Sequence, residues 1–222
     1  MSEVPERAVA LAVNRCFEAE GLPVQIKIDN GLPLVRPSER DLPTLTVLWW
    51  TGLGIHVVYN KPACPQQNGT VEGLQSICCR WAEPSRCASV EELQTAVDEA
   101  NRIQRSVFRV PRKKRLTRQQ LYPELDTNPR KYDPKAFSFE KVEAYLAQKV
   151  WAREVKKNGC ISLFGTEIYV RQAIARSSVT ATYDPQEKQW AMRDSDGKLL
   201  KNSKKGLITE EIILNHVNMS KN

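Results

Sequence analysis

Two stretches decide the reading of this chain: Val24-Gln25-Ile26-Lys27-Ile28-Asp29-Asn30-Gly31 and Pro65-Gln66-Gln67-Asn68-Gly69-Thr70-Val71-Glu72. The first is a β-branched run that ends in Asp-Asn-Gly, so it predicts a strand over 24–28 followed by a turn. The second leaves a polar, Pro-containing loop over 61–68 and opens a helix over about 69–81. Between them, Leu45, Leu48 and Trp49 share one side of a helix within 42–54, and Ile55–Tyr59 reads as a second strand. Upstream, Val9, Ala12, Val13, Cys16 and Phe17 recur at helical spacing over 5–20, and Gly21-Leu22-Pro23 stops that helix. Helix, strand, helix, strand, helix is the order of an α/β layered fold.

Downstream, Ser89-Val90-Glu91-Glu92 is a capping-box signature. The helix it opens carries Val90, Leu93, Val97 and Ala100 at core spacing and is expected to end near 107. The composition then changes. Residues 109–118 hold six basic side chains and no acid, and Pro111, Pro123, Pro129 and Pro134 punctuate the chain from there. An extended basic linker is expected over 108–138. From 148, short strands are expected at 149–155, 161–164, 167–170, 179–183, 189–193 and 198–200. Asn158-Gly159 is read as a hairpin turn between the first two. Close, regular strand spacing predicts a small all-β barrel with Trp151, Trp190 and Tyr183 in its core, and 209–217 could add a helix. The expected divisions are 1–107, a linker over 108–147, and 148–222.

The 222 residues carry a net charge of +7, but its distribution is uneven. Residues 1–100 hold 8 Lys+Arg and 13 Asp+Glu, whereas 101–222 hold 25 and 13. An acidic half joined to a basic half points to a polyanionic partner for the second. No apolar run approaches the roughly 18 residues of a membrane helix, and the N-terminus lacks the pattern of a signal peptide. A cytoplasmic protein without membrane contact is therefore expected. The six cysteines form no Cys-x-x-Cys pair, and with His56 and His216 they make no spaced zinc set; free thiols in a reducing compartment are expected.

Asp29 and Glu72 are the candidate catalytic and metal-binding residues. Taken singly, each has an ordinary structural reading: Asp-Asn-Gly makes turns, and a Glu in the first helical turn complements the helix dipole. A strand-end Asp and a helix-start Glu brought together would instead offer hard oxygen ligands to Mg²⁺, and a pair of such ions can clamp a phosphodiester.

With their flanks, in order and with Leu53-Gly54-Ile55 between them, these segments resemble the catalytic core of DDE transposases and retroviral-type integrases, most closely bacterial insertion-sequence transposases. The Asn101-Arg102 and Tyr122-Pro123 pairs look like the tail of such cores. Arg153 to Ile161, with Gly165 and Tyr169, looks like the small barrel that comes after them. The resemblance covers about residues 8 to 200. It implies an α/β fold: a partial RNase H-like integrase core followed by an SH3-like barrel. It also implies metal-dependent phosphoryl transfer on DNA with Mg²⁺ or Mn²⁺ held by Asp29 and Glu72, and other transposase subunits as possible partners.

The chain departs from that pattern in four ways. The family's first acidic ligand has no counterpart, since Glu3, Glu6, Glu18 and Glu20 fall in or before the first helix. The family's helix-turn-helix region has no counterpart either, so an N-terminally truncated core, inactive alone, is expected, with β edges left open. Forty-two residues separate Asp29 from Glu72, more than is usual in the family, and the excess is assigned to 32–43. Gly73 stands where a polar or basic residue often comes after the Glu. DNA contact is expected from Arg109, Arg112, Lys113, Lys114, Arg115 and Arg118, through sequence-independent binding to phosphates. The competing readings are a non-enzymatic DNA-binding or assembly remnant, and an unrelated basic RNA-binding protein.

Overall fold

The structure is a computed structural model that describes residues 4–35, 41–61 and 64–218. In chain order the elements are α1 (Glu6–Glu20), β1 (Gln25–Ile28), α2 (Leu45–Gly52), β2 (His56–Tyr59), α3 (Gly69–Ala82), α4 (Val90–Arg102), β3 (Arg109–Val110), β4 (Leu116–Thr117), α5 (Arg118–Leu121), α6 (Phe139–Ala147), β5 (Val150–Glu154), β6 (Cys160–Leu163), β7 (Thr166–Tyr169), β8 (Ser178–Asp184), β9 (Gln189–Arg193), β10 (Leu199–Ser203) and α7 (Glu210–Asn218). The chain is mixed α/β, as the layer pattern predicts. No described helix is long and apolar enough to cross a membrane, and all six cysteines are free.

The chain divides into two units. The first comprises residues 1–18, 23–59 and 132–222; the second comprises 19–22 and 60–131. These boundaries do not coincide with divisions after 107 and 147.

In the first unit β1 and β2 pair in parallel, Gln25 with His56 through Ile28 with Tyr59, joined across α2. Parallel partners point to the same side, so Ile26, Ile28, Val57 and Tyr59 share one face and Gln25, Lys27 and His56 the other. Helix α2 carries bulky apolar side chains all round. Val47, Leu48, Trp49 and Trp50 are all buried, and Thr44 caps its start by accepting from the Val47 N–H. Trp49 stacks on Phe137, with ring centroids 5.1 Å apart, and donates its indole N–H to Asn14 at 3.1 Å. Gly52 is required by this packing, because a Cβ there would run into the Phe137 ring. The Glu6 carboxylate accepts from the Thr46 N–H at 2.8 Å, and the Thr46 hydroxyl meets His216 at 3.0 Å, so α1, α2 and α7 are tied together.

The later strands of this unit form an antiparallel sheet in the order β10-β9-β8-β5 and a separate hairpin of β6 and β7. Trp151, Tyr183, Trp190 and Met192 are buried, which accords with a core role for Trp151, Trp190 and Tyr183. Trp190 packs edge-on to Tyr183 and donates to the Gly206 carbonyl. The sheet is open, and no closed barrel forms among the described residues. The strands pair differently from the expected order around Asn158-Gly159. The sequence predicts that this turn folds β5 back on β6; the turn closes over 156–160, but the ladder does not extend from it, since β5 pairs along its length with β8, and β6 pairs with β7 across a Phe164-Gly165 turn. Gly159 is needed on two counts: its φ is +78°, and a Cβ would lie 2.6 Å from the Gln172 amide nitrogen. The glycine therefore serves both a tight turn, closed by the Lys156 N–H donating to the Cys160 carbonyl and the Gly159 N–H to the Lys156 carbonyl, and a close approach by residues 171–172. Arg153 on β5, its side chain largely enclosed, joins these pieces by donating to the Ser162 carbonyl and to Asp41.

In the second unit α3 packs against α4. The Ser89 hydroxyl accepts from the Glu92 N–H at 3.2 Å, as its signature predicts. The Glu92 carboxylate reaches back to the Ala88 N–H, one residue before the cap. Val90, expected in the core, is 76% exposed, because it occupies the first helical position, while Ala100 is buried. After Arg102 the helix widens into a π-turn over 103–107 that closes on Phe108.

Residues 108–138 are not an extended linker. β3 and β4 form a hairpin, Arg109 opposite Thr117 and Val110 opposite Leu116, and α5 comes next under a full capping box between Thr117 and Gln120. Asn128 donates to the carbonyls of Glu20 and Leu22, and the Leu22 N–H donates to the Arg130 carbonyl, which binds residues 19–22 to this unit. Residues 36–40 of the 32–43 stretch expected to hold extra length lie outside the described residues, as do Glu3 and residues 62–63 of the loop before α3.

Candidate nucleic-acid interface

Asp29 comes directly after the last residue of β1, where the strand runs out into its turn. It is exposed, and its carboxylate accepts from the Gly31 N–H at 3.2 Å, an Asx turn that fixes the side chain against its own backbone. Glu72 is exposed in the first turn of α3. The segment before it is a single 3₁₀ turn over Pro65–Asn68, and Asn68 within that turn accepts from the amide of buried Asn60. Asp29 belongs to the first unit and Glu72 to the second.

Both carboxylates offer the hard oxygens Mg²⁺ and Mn²⁺ take, and Mg²⁺ commonly keeps several waters and uses only one or two carboxylates besides phosphate oxygens. Among the described residues no group of three His, Cys, Asp or Glu side chains is gathered to hold an ion. The oxygens suit the ion in kind, with one carboxylate in each unit.

The basic residues are more informative. Arg109 is exposed on β3 and donates to the Arg115 carbonyl at 3.3 Å, across the mouth of the hairpin loop. Arg112, Lys113, Lys114 and Arg115 make up the loop itself together with Pro111, and all four side chains are exposed. The loop closes through backbone bonds from Lys113 to Val110 and from Leu116 to Lys113, with Lys114 and Arg115 at φ +53° and +57°. Four cations therefore project from a tip only five residues long. Arg118 differs. It is half-buried, donates to the Gln104 carbonyl at 3.0 Å, and lies over the Phe108 ring at 5.6 Å, so its charge holds the base of the hairpin. The Phe108 ring also meets Trp81 edge-on at 6.2 Å.

A polar cleft elsewhere in the second unit, about 450 Å³, is lined by Glu20, Asp98, Asn101, Arg105, Gln119 and Asp126. Arg105 makes two hydrogen bonds to Glu20 and lies 3.9 Å from Asp126. These carboxylates keep the guanidinium protonated even more firmly than usual. Nothing in the sequence pattern singles out this cleft, and its charges are already paired internally.

No protein-family model matches any part of the chain, and no curated protein matches it.

Proposed function

We propose that this chain is a DNA-handling protein of the transposase and integrase-core kind. Its second unit grips the phosphate backbone through the hairpin tip at Arg112, Lys113, Lys114 and Arg115, with Arg109 beside them. The observation that carries this reading is the concentration of four exposed cations on one five-residue loop without an acid in the run. Such a tip binds polyanions by displacing condensed counterions. The integrase-core part of the reading, a partial RNase H-like core, is supported by the order of the Asp29 and Glu72 segments and by parallel β1 and β2 with Asp29 at the strand end; an SH3-like arrangement of the later strands is supported by their run of short antiparallel strands. In that reading Asp29 and Glu72 would hold Mg²⁺ or Mn²⁺, whose charge would neutralise a phosphodiester. Two carboxylates leave the ions short of an acidic ligand, so the chain alone is expected not to join DNA ends. Other transposase subunits are the proposed protein partners.

The second reading is a non-enzymatic DNA-binding or assembly module. It is favoured by the Asx turn, which commits one oxygen of Asp29 to its own backbone.

Duplex binding by the full chain, measured across a salt series, tests the DNA reading. The logarithm of affinity is expected to fall linearly with that of salt. The combined Lys113→Gln, Lys114→Gln and Arg115→Gln variant is expected to reduce the slope by about 2 to 3. Affinity that does not change with salt would overturn phosphate contact. Strand joining with Mg²⁺ or Mn²⁺ that disappears in Glu72→Gln would overturn the inactivity of the isolated chain.

A further inference from the structure

The five tryptophans are unequal. Trp49, Trp50, Trp151 and Trp190 are each 2% exposed or less, whereas Trp81 is 41% exposed. Trp81 sits in the last turn of α3. One edge of it is fixed by the T-shaped contact with Phe108, the residue that leads directly into the basic hairpin. Phe108 is itself held by the Arg118 guanidinium over its ring, so the pair is braced while both rings stay exposed, the indole at 41% and Phe108 at 36%. Glu83, the nearest acid in sequence, is paired with Arg86 at 2.6 Å. A fixed, exposed aromatic surface beside a cationic loop is the combination that binds unpaired nucleotides: the cations take phosphates and the ring takes a base face.

We propose that Trp81 stacks an unpaired base and that the α3 end and the hairpin together form a single-stranded DNA site. The inference rests on the DNA reading of the hairpin and names the form of DNA that this face prefers. In a duplex both faces of each base are covered by neighbours, so a duplex gains the phosphate contacts but not the stacking.

The test uses the full chain with an oligo-dT strand, a strand of the same length built of abasic sites, and a duplex. Binding of oligo-dT is expected to quench tryptophan fluorescence. The Trp81→Ala variant is expected to weaken oligo-dT binding by about tenfold, with duplex and abasic binding unchanged; Trp81→Phe, which keeps a stacking ring, is expected to retain most of the affinity and lose the quench. Equal loss for oligo-dT and duplex in Trp81→Ala, or no loss for either, would overturn the stacking site while leaving the DNA reading in place. A Lys113→Gln, Lys114→Gln, Arg115→Gln variant that binds every strand as the wild type does would overturn the DNA reading, and the stacking site with it.

Discussion

The two units are built on opposite principles. The first is held by burial: Trp49, Trp50, Trp151 and Trp190 are enclosed, with Ile161, Leu163, Ile168, Met192 and Ile213 around the later strands. In the second, among the described residues, the buried apolar side chains are Leu22, Ala82 and Ala100, and the other buried residues, Asn60, Gln104 and Thr117, are polar. Its cohesion comes from local devices instead: the Ser89 cap, the Thr117 capping box, the Arg105–Glu20 pair and the Asn128 bonds to residues 19–22. Apolar burial is the dominant favourable term in folding, so the second unit is expected to open at lower free energy than the first. What it keeps at its surface in exchange is charge, and charge suits a polyanion better than it suits a core.

The sharpest way to break this contrast is to empty the first unit's core. Trp190→Ala should cost about 3 to 5 kcal/mol, read as a lower denaturant midpoint. A loss below about 1 kcal/mol would mean that burial is not what holds that unit. A smaller effect is expected at Tyr183, whose hydroxyl donates to Glu143 at 2.8 Å and links β8 to α6. Burial first, and then the Glu143 hydrogen bond, raise the Tyr183 phenol above its ordinary value. A raised folded-state value means that the contribution is complete below the ordinary phenol range and disappears as pH rises through the folded value. The wild type should therefore lose stability in strong alkali more steeply than Tyr183→Phe, which should cost about 1 to 2 kcal/mol near neutral pH. Matching alkaline profiles would show that the Tyr183 phenol makes no such contribution. The smallest effect belongs to the second unit. Thr117→Ala deletes one cap bond and should cost about 1 kcal/mol, seen as faster amide exchange over 116–121. Unchanged exchange there would mean that capping does not hold the base of the hairpin.

The elements legible in the sequence are those whose signal is local and long enough to repeat. Helix α1 is legible from its spacing, although of Val9, Ala12, Val13, Cys16 and Phe17 only Phe17 is buried while Ala12 and Cys16 are exposed, and β1, α2 and β2 are bounded by Gly and Asp-Asn-Gly. The strands after 148 are legible one by one, but their pairing is not. Asn158-Gly159 has the chemistry of a hairpin turn, yet the partner of β5 is β8, chosen by burial of Trp151 and Ala181 across the ladder. The hairpin of β3 and β4 is hidden for another reason: its strands are two residues each, too short to alternate visibly, and a run of cations between prolines resembles solvated coil. For the site, the positions of Asp29 at a strand end and Glu72 in a first helical turn can be read from their flanks. The exposure of Trp81 cannot, because an indole at helical spacing beside Ile77 and Cys78 looks like any core residue until its cover proves thin.

The geometry of the loop tip sets evolution a choice. Lys114 and Arg115 both stand in the left-handed backbone region, where a side chain with a Cβ is disfavoured by roughly 1 kcal/mol or more and where Asn or Gly is the easier occupant. A lineage under selection for folding alone would drift toward Asn-Gly at these positions and gain a tighter, quieter turn. A lineage that keeps Lys-Arg there accepts a less comfortable backbone for the sake of two charges at its most projecting point. In the proposed DNA-binding role, Lys114 and Arg115 would thus be the positions where Asn-Gly replacement trades charge at the tip for an easier backbone.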